Sequence, residues 1–299
     1  HEFGAVRVTG GASGGLRGLD SNRDGVHSDP SAGAFVSLRW HATKHLTVNQ
    51  STRIDYDATH CVEPTPQPYL AYDLGRVTLR AGGGRVVRAP NYVERFIDSA
   101  TNRGNPNLDA ETAWSGEVGA DVRLPANLSL SVTGFHRTTR NAIDYLAQSN
   151  VFTARNLDRT TTTGLETKMT MDRHVGGVGI RLDAGYTLLD ATLDAQQSPS
   201  AYKYGLNSAR HHVQGSASLR TGPVTLGLQG LWKDRLRDAG LATNQYGVVH
   251  TRLGYRTRLR GVRTTISAAV RNLFDRQYSE VFDAPLPGRT LLVGASVQL

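Results

Sequence analysis

The stretch "VGIRLDAGYTL" (residues 178–188) alternates without a break. Val178, Ile180, Leu182, Ala184, Tyr186 and Leu188 share one face of an extended chain. Gly179, Arg181, Asp183, Gly185 and Thr187 share the other, because successive side chains of a strand point to opposite faces. A soluble sandwich would turn the first face to a core and the second to water, whereas a membrane barrel would turn the first to lipid and the second to a wet lumen. The same two-sided run recurs over residues 114–122, 213–219, 224–232, 262–270 and 291–299. Many of these runs are longer than the roughly five or six residues of an average soluble strand. The uniform pattern therefore predicts an all-β fold, an antiparallel up-and-down transmembrane β-barrel.

Connection lengths point the same way. About 14 strands can be drawn, and the links between them take turns being long (11–30, 58–67, 89–110, 193–205, 272–289) and short (41–44, 73–76, 124–127, 173–177, 221–222 and near Leu259). Outer-membrane barrels show this asymmetry, with tight periplasmic turns and long external loops, which places Leu299 on the periplasmic side. Of 299 residues 38% are apolar, and no apolar run approaches the roughly 18 residues of a membrane helix. No linker or repeat divides the chain, so a single barrel domain over residues 1–299 is expected.

The formal charge is +8, with 34 basic residues of which Lys44, Lys168, Lys203 and Lys233 are the lysines. The arginines are scattered over polar strand faces instead of clustering with aromatics, which argues against nucleic acid as a partner. Across a lumen such arginines pair with aspartates or attract anionic solutes. Cys61 has no second cysteine to pair with, leaving a free thiol or a partner outside this sequence. "HEFGAVRV" has no initiator Met and no apolar signal stretch, so an export signal is expected to lie outside the sequence as well.

Ordered motifs then carry a family resemblance. "RAPNYVERF" (88–96) with "GNPNLDAET" (104–112), "TGFHRTTRNAIDYL" (133–146) with "NLDRTTTTGLETKMTM" (156–171), "VRNLFDRQYSE" (270–280) and "PLPGRTLLVGASVQL" (285–299) follow one another. In that order they resemble the paired loop motif, strand pair, penultimate-strand signature and closing segment of TonB-dependent outer-membrane receptors. The resemblance covers the chain from about Tyr69 onward. Such receptors hold an N-terminal plug inside a barrel of about 22 strands. It implies that this chain is the C-terminal barrel portion of a longer receptor in the bacterial outer membrane, with its last strand closing on the first. Leu299 stands where the family usually ends in an aromatic residue. The implied partners are outer-membrane lipid, the TonB complex through the missing plug, and a small-molecule ligand such as a ferric siderophore or cobalamin. The implied function is capture of a scarce solute at external loops and its import with TonB-supplied energy.

Two sets of site residues stand out. Asn91, Tyr92, Arg95 and Phe96 are read either as ligand contacts at the extracellular mouth, where an aromatic and a guanidinium suit a bound solute, or as residues that fold the loop. "DSNRDG" (20–25) matches the first half of a calcium loop, and Asp20, Asn22, Asp24 and Asp29 would supply the oxygen ligands for Ca2+ in an external loop over 20–31. The bland reading is an Asp/Asn/Gly turn. No nucleophile elbow, zinc-protease motif or P-loop is present, so no enzyme activity is expected. The alternatives are a stand-alone passive porin of about 14 strands and an outer-membrane surface enzyme.

Overall fold

The computed structural model describes residues 1–57, 60–148, 151–194, 209–235, 245–281 and 284–298. Its elements are β1 (Glu2–Phe3), β2 (Val6–Ser21), β3 (Gly25–His41), β4 (Leu46–Asp57), β5 (His60–Asp73), β6 (Val77–Arg88), α1 (Tyr92–Phe96), β7 (Asn102–Arg103), β8 (Glu111–Leu124), β9 (Leu128–Gln148) and β10 (Val151–Val175). They continue with β11 (Val178–Asp194), β12 (Ala209–Thr221), β13 (Val224–Arg235), β14 (Gln245–Leu259), β15 (Val262–Arg271), β16 (Ser279–Val281), β17 (Ala284–Pro285) and β18 (Thr290–Gln298). A single 16-stranded sheet takes its strands in chain order from β1 to β15 and then β18, with β7 paired off this path to β10, and β16 and β17 form a separate ribbon. This is the up-and-down antiparallel order expected. β2 to β6, β8 to β15 and β18 are its long strands.

The chain divides into two compact units, one of His1–Ala120, Gly134–Thr163 and Asp190–Leu206, the other of Asp121–Thr133, Gly164–Leu189 and Asn207–Leu299. The division runs through strands, with no linker to announce it in the sequence. In the second unit the registers align Ile180, Leu219, Leu226, Leu253, Ala268 and Val293 side by side across β11, β12, β13, β14, β15 and β18. One residue along, Arg181, Ser218, Gly227, Arg252, Ala269 and Leu292 line up on the opposite face. Leu253 is 51% exposed and Val293 76%, so the apolar row is an outer surface on which none of the described residues packs. A continuous apolar surface of that extent needs a non-aqueous partner.

Aromatic residues bracket the row. Trp232 pairs with Gly247, and Tyr255 lies eight residues further along β14, a rise of about 26 Å along the strand. That separation matches the apolar band of an outer-membrane strand, flanked by aromatic girdles. At the Trp232 end, Tyr186 bonds His211 Nδ1 at 2.9 Å. His212, one residue on, pairs with Lys233 on the polar face.

The short turns have the chemistry that tight hairpins demand. Gly176 and Gly177 both take positive φ, as do Arg260 and Gly261, the requirement of a two-residue type I′ turn whose twist matches the strands it joins.

Two expected long links turn out to be mostly strand. Residues 11–30 form the paired tips of β2 and β3, whose ladder runs unbroken from Val6↔Trp40 to Ser21↔Gly25. The run "GGASGG" hides this, because glycine and serine show no polarity alternation. Residues 58–67 fall largely in β5. Its ladder with β4 includes Ile54↔Pro64, Thr52↔Pro66 and Gln50↔Pro68. Residues two apart in a strand direct their backbone groups to the same neighbour, so three prolines at this spacing remove donors from one edge only. That edge faces β6, for Arg85 of β6 donates to the Pro64 carbonyl at 3.1 Å. Opposite the prolines β6 carries Gly82, Gly83 and Gly84. A Cβ on Gly84 would lie 2.6 Å from the Pro66 carbonyl oxygen, and one on Gly83 would lie 2.7 Å from that of Ser115. The glycine run is there for close backbone approach on both sides. Cys61 falls in β5 and its side chain lies outside the described residues; the expected link over 193–205 lies largely outside them too.

The buried apolar cluster is small and sits in the first unit, where Leu108, Tyr145 and Ala154 pack with Ile97, Ile143 and Phe152. These side chains come from the segment that carries α1 and from the far ends of β9 and β10.

Candidate functional site

The first unit gathers most of the sequence candidates around α1. Asn91 has extended backbone, its side chain accepts from the Glu94 N–H, and the Glu94 carboxylate accepts from the Asn91 N–H, a reciprocal capping box that lets a five-residue helix form. Glu94 also receives Arg88 at 2.9 Å, Arg88 reaches Glu111 at 2.5 Å, and Glu111 in turn accepts from the Ile143 N–H at 2.6 Å. A chain of charge-assisted bonds therefore ties the helix to β6, β8 and β9.

From this helix the other candidates reach the tip of the β2–β3 hairpin. The Tyr92 hydroxyl donates to the Arg17 carbonyl at 3.0 Å. Arg95 pairs with Asp29 at 2.9 Å, both side chains largely buried. The Phe96 ring stacks on His27 with centroids 3.5 Å apart, and the Arg95 guanidinium lies 4.5 Å over the Phe96 ring. All four residues thus have their polar groups or rings engaged within the chain, the loop-folding arrangement.

The "GNPNLDAET" segment seals the other side. Gly104 N–H donates to Ile97 O at 2.6 Å and Asn105 N–H to Glu94 O at 2.9 Å. Asn156, which carried no signal of its own in the sequence, bonds the backbone of Asp109 in both directions and reaches Asn141 O.

The aspartates of "DSNRDG" are not brought together. Asp20 is cross-strand from Val26, whereas Asp29 is cross-strand from Arg17, an odd number of residues away along β3, so the two project from opposite faces of the hairpin. Asn22 and Asp24 sit in the turn of residues 22–24, where Asp24 Oδ2 meets Ser21 Oγ at 3.4 Å and the Asp24 carbonyl meets His27 Nε2 at 2.7 Å. Asp29 is held by Arg95. Among the described residues no group of three or more His, Cys, Asp or Glu side chains is placed to hold a metal. A tight β-turn replaces the curl that lets alternate residues of a calcium loop converge.

The second unit holds a site that the sequence did not single out. The polar face of β12 to β15 and β18, with the 272–289 segment, lines a cavity of about 980 Å3 that presents Gln229, His250, Arg252, Arg271 and Tyr278. Asn272, 2% exposed, organises the segment. Its amide donates to the carbonyls of Arg276 (2.8 Å) and Pro287 (3.3 Å), its side-chain oxygen accepts from Arg276 N–H (2.8 Å), and its own N–H donates to His250 (3.0 Å). Asp275 accepts from Arg289 N–H at 2.6 Å, joining "NLFDR" to "PGR".

Glu280, on β16, collects Lys233 at 2.9 Å, the Tyr246 hydroxyl and Arg235 at 3.4 Å. Burial pushes the Glu280 carboxyl up, but bonds from Tyr246 and Lys233 and the charges of Lys233 and Arg235 outweigh it and hold it below its ordinary 4.5. With the folded value the lower one, this contribution is complete above the ordinary carboxylate range and is lost as pH falls through the folded value. Amide exchange over residues 272–281, corrected for intrinsic rates, is expected to show protection at neutral pH that is lost on acidification to below the ordinary carboxylate range. Glu280→Gln should flatten that dependence; an unchanged profile in the variant would remove Glu280 as its source.

Comparison with known proteins gives three findings. A family model described as "TonB dependent receptor-like, beta-barrel" matches residues 3–273. Similar solved structures include the siderophore receptor PirA from Pseudomonas aeruginosa (18% identity, TM-score 0.72, 98% of this chain and 52% of that one). They also include a mutant of the ferric enterobactin receptor PfeA from Pseudomonas aeruginosa in complex with enterobactin (18%, 0.74, 99% and 53%) and the copper transporter OprC (16%, 0.74, 98% and 54%). The chain spans about half the length of these structures, and at such identities the likeness is one of fold. No curated protein matches the sequence.

Proposed function

Because the chain belongs to the TonB-dependent receptor β-barrel family, we propose that it forms wall and external loops of a bacterial outer-membrane receptor that captures a scarce solute and imports it with TonB-supplied energy. A ferric siderophore or a similar metal chelate is the solute class that suits the reading; cobalamin is a second member of it. The observation that carries the membrane assignment is the exposed row from Ile180 to Val293, one residue out of step with a polar row that contains Arg181 and Arg252. Lipid covers the first, and a wet lumen meets the second.

In this reading the Asn91–Phe96 group supports capture by fixing the loop that frames the mouth, since its side chains are spent on Arg17, His27 and Asp29. The chain performs no covalent chemistry. Coupling to TonB is assigned in this reading to a plug domain of the full-length receptor.

The test is uptake of iron-labelled siderophores by iron-starved cells that carry or lack the full-length receptor, with and without a protonophore. Receptor-dependent uptake that stops when the gradient collapses supports the proposal. Uptake that persists without the gradient would replace it with the passive porin.

A further inference from the structure

The short turns carry charge of one sign. Among the described residues they are 42–45, 74–76, 125–127, 176–177, 222–223 and 260–261. None contains an acid, whereas Lys44, Arg76 and Arg260 lie in them and Arg173 stands three residues before one. The longer connections at the opposite strand ends hold Asp24, Asp98, Asp109 and Asp275. All four cations at the short turns are exposed, and among the described residues none of them makes an ion pair.

Exposed apolar side chains stand beside these cations. In the first unit Lys44 and Arg76 neighbour Trp40, Tyr72 and Leu74, all exposed. Trp40 is cross-strand from Val6 and Val48, and Tyr72 from Leu46 and Leu79, so both rings belong to the apolar side of the sheet. In the second unit Arg173 neighbours Val175, and Arg260 neighbours Leu259 and Tyr255, again all exposed. Arg173 itself lies on the apolar side, because Asp172, one residue away, bonds Arg181 on the polar side. The first unit also braces its turns against each other, for His45 Nδ1 meets the Asp73 carbonyl at 2.9 Å and the Asp73 N–H donates to the His45 carbonyl at 2.8 Å.

We infer that the short-turn edge of each unit is a docking surface for the anionic headgroups of the periplasmic leaflet, with Lys44, Arg76, Arg173 and Arg260 meeting phospholipid phosphates. Rings and aliphatic side chains at this level sit in the upper hydrocarbon, while the long basic side chains reach past them to the headgroups. An anionic leaflet attracts each basic residue near its surface, and guanidinium groups match phosphate oxygens two bonds at a time. A soluble acidic partner would use the cations and leave Trp40, Tyr72, Leu74 and Leu259 in water, so the interleaving of apolar and basic residues favours lipid. The inference rests on the outer-membrane reading for which leaflet the short turns meet, and on the turns alone for the charge of the lipid.

The purified full-length receptor in phosphatidylcholine bilayers tests it, with trace spin-labelled phosphatidylglycerol or phosphatidylcholine reporting the lipid at the protein boundary. The wild type should select phosphatidylglycerol several-fold at low salt, and added salt should shrink the preference. The variant Lys44→Gln, Arg76→Gln, Arg173→Gln, Arg260→Gln should bring it close to parity, since one basic residue near an anionic surface is good for about a fivefold factor. Lys44→Arg with Arg76→Lys, Arg173→Lys and Arg260→Lys should keep the preference, which a folding defect would not allow. Arg23→Gln with Arg103→Gln, on the external side, should leave it unchanged. The inference is overturned by equal association of the two lipids with the wild type, by an unchanged preference in the glutamine variant, or by an equal loss in the external pair. A wild type without lipid preference that holds a polyglutamate peptide, and releases it in the glutamine variant, would hand the edge to an acidic protein and overturn the lipid assignment. Absence of any immobilised boundary lipid would sink the membrane reading as well, whereas uptake indifferent to a protonophore would sink the TonB-driven reading alone.

Discussion

Asn272→Ala is expected to unfold the 272–289 segment. The substitution removes a side chain that satisfies Arg276 N–H, Arg276 O and Pro287 O in a buried setting. Each buried group left without a partner costs about 1–3 kcal/mol. Asn272 also sits at φ 50, a conformation that asparagine tolerates and that costs alanine roughly 1 kcal/mol more. The total, on the order of 4–10 kcal/mol, is comparable to the stability of a whole domain and far above what a short segment can absorb. The measurement is limited proteolysis and amide exchange over residues 272–289 in the full-length receptor. Asn272→Gly separates the causes, since it accepts the backbone angle and still loses the three bonds. If the glycine variant were as well protected as the wild type, the bonds would not be what holds the segment.

Gly104→Val is the second large effect, and its cause is space. A Cβ at this position would lie 2.6 Å from both the Arg95 carbonyl carbon and the Phe96 nitrogen, which are backbone atoms with no rotamer to change. Helix α1 must move away, losing the bonds from Gly104 N–H to Ile97 O and from Asn105 N–H to Glu94 O. Overpacking of this kind costs about 1–3 kcal/mol, and the Arg95–Asp29 pair and the Phe96–His27 stack depend on where α1 sits. The expected outcome is protease sensitivity across residues 88–110 and loss of solute binding, with the strands still folded. Gly134→Ala, where nothing lies within 4 Å of the added carbon, should be neutral by the same assays. Equal behaviour of the two variants would contradict the packing argument.

The sequence was most readable where lipid-type and polar faces alternate. β8, β11 to β13, β15 and β18 follow from side-chain polarity alone, and the registers of β11 with β12, β12 with β13 and β15 with β18 place the expected faces together. Reading fails at β2 and β5 for two different reasons. "GGASGG" has no alternation of polarity to sort by, and the prolines of β5 look like a loop until it is seen that all their missing donors lie on one edge. Helix α1 is readable in principle, for Asn91 followed by Glu94 is a capping signal, and loop folding is one of the two readings that its residues carry in the sequence. At the site, the ligand and calcium candidates were chosen by residue type, which does not reveal that Arg95 and Asp29 satisfy each other from 66 positions apart.

The prolines of β5 bear on the chain before it folds. A strand that has not yet found its partners exposes unpaired edges, and an apolar edge with a full set of donors is a template on which other chains stack. Pro64, Pro66 and Pro68 leave one edge of β5 without any donor over that stretch, while the β4 edge keeps its ladder. Each works as a gatekeeper against aggregation at no loss to the native pairing, because β6 meets that edge with glycines and an arginine instead of a regular ladder. Replacing the three prolines by valine would keep the folded register and make the unfolded chain a better seed for fibres.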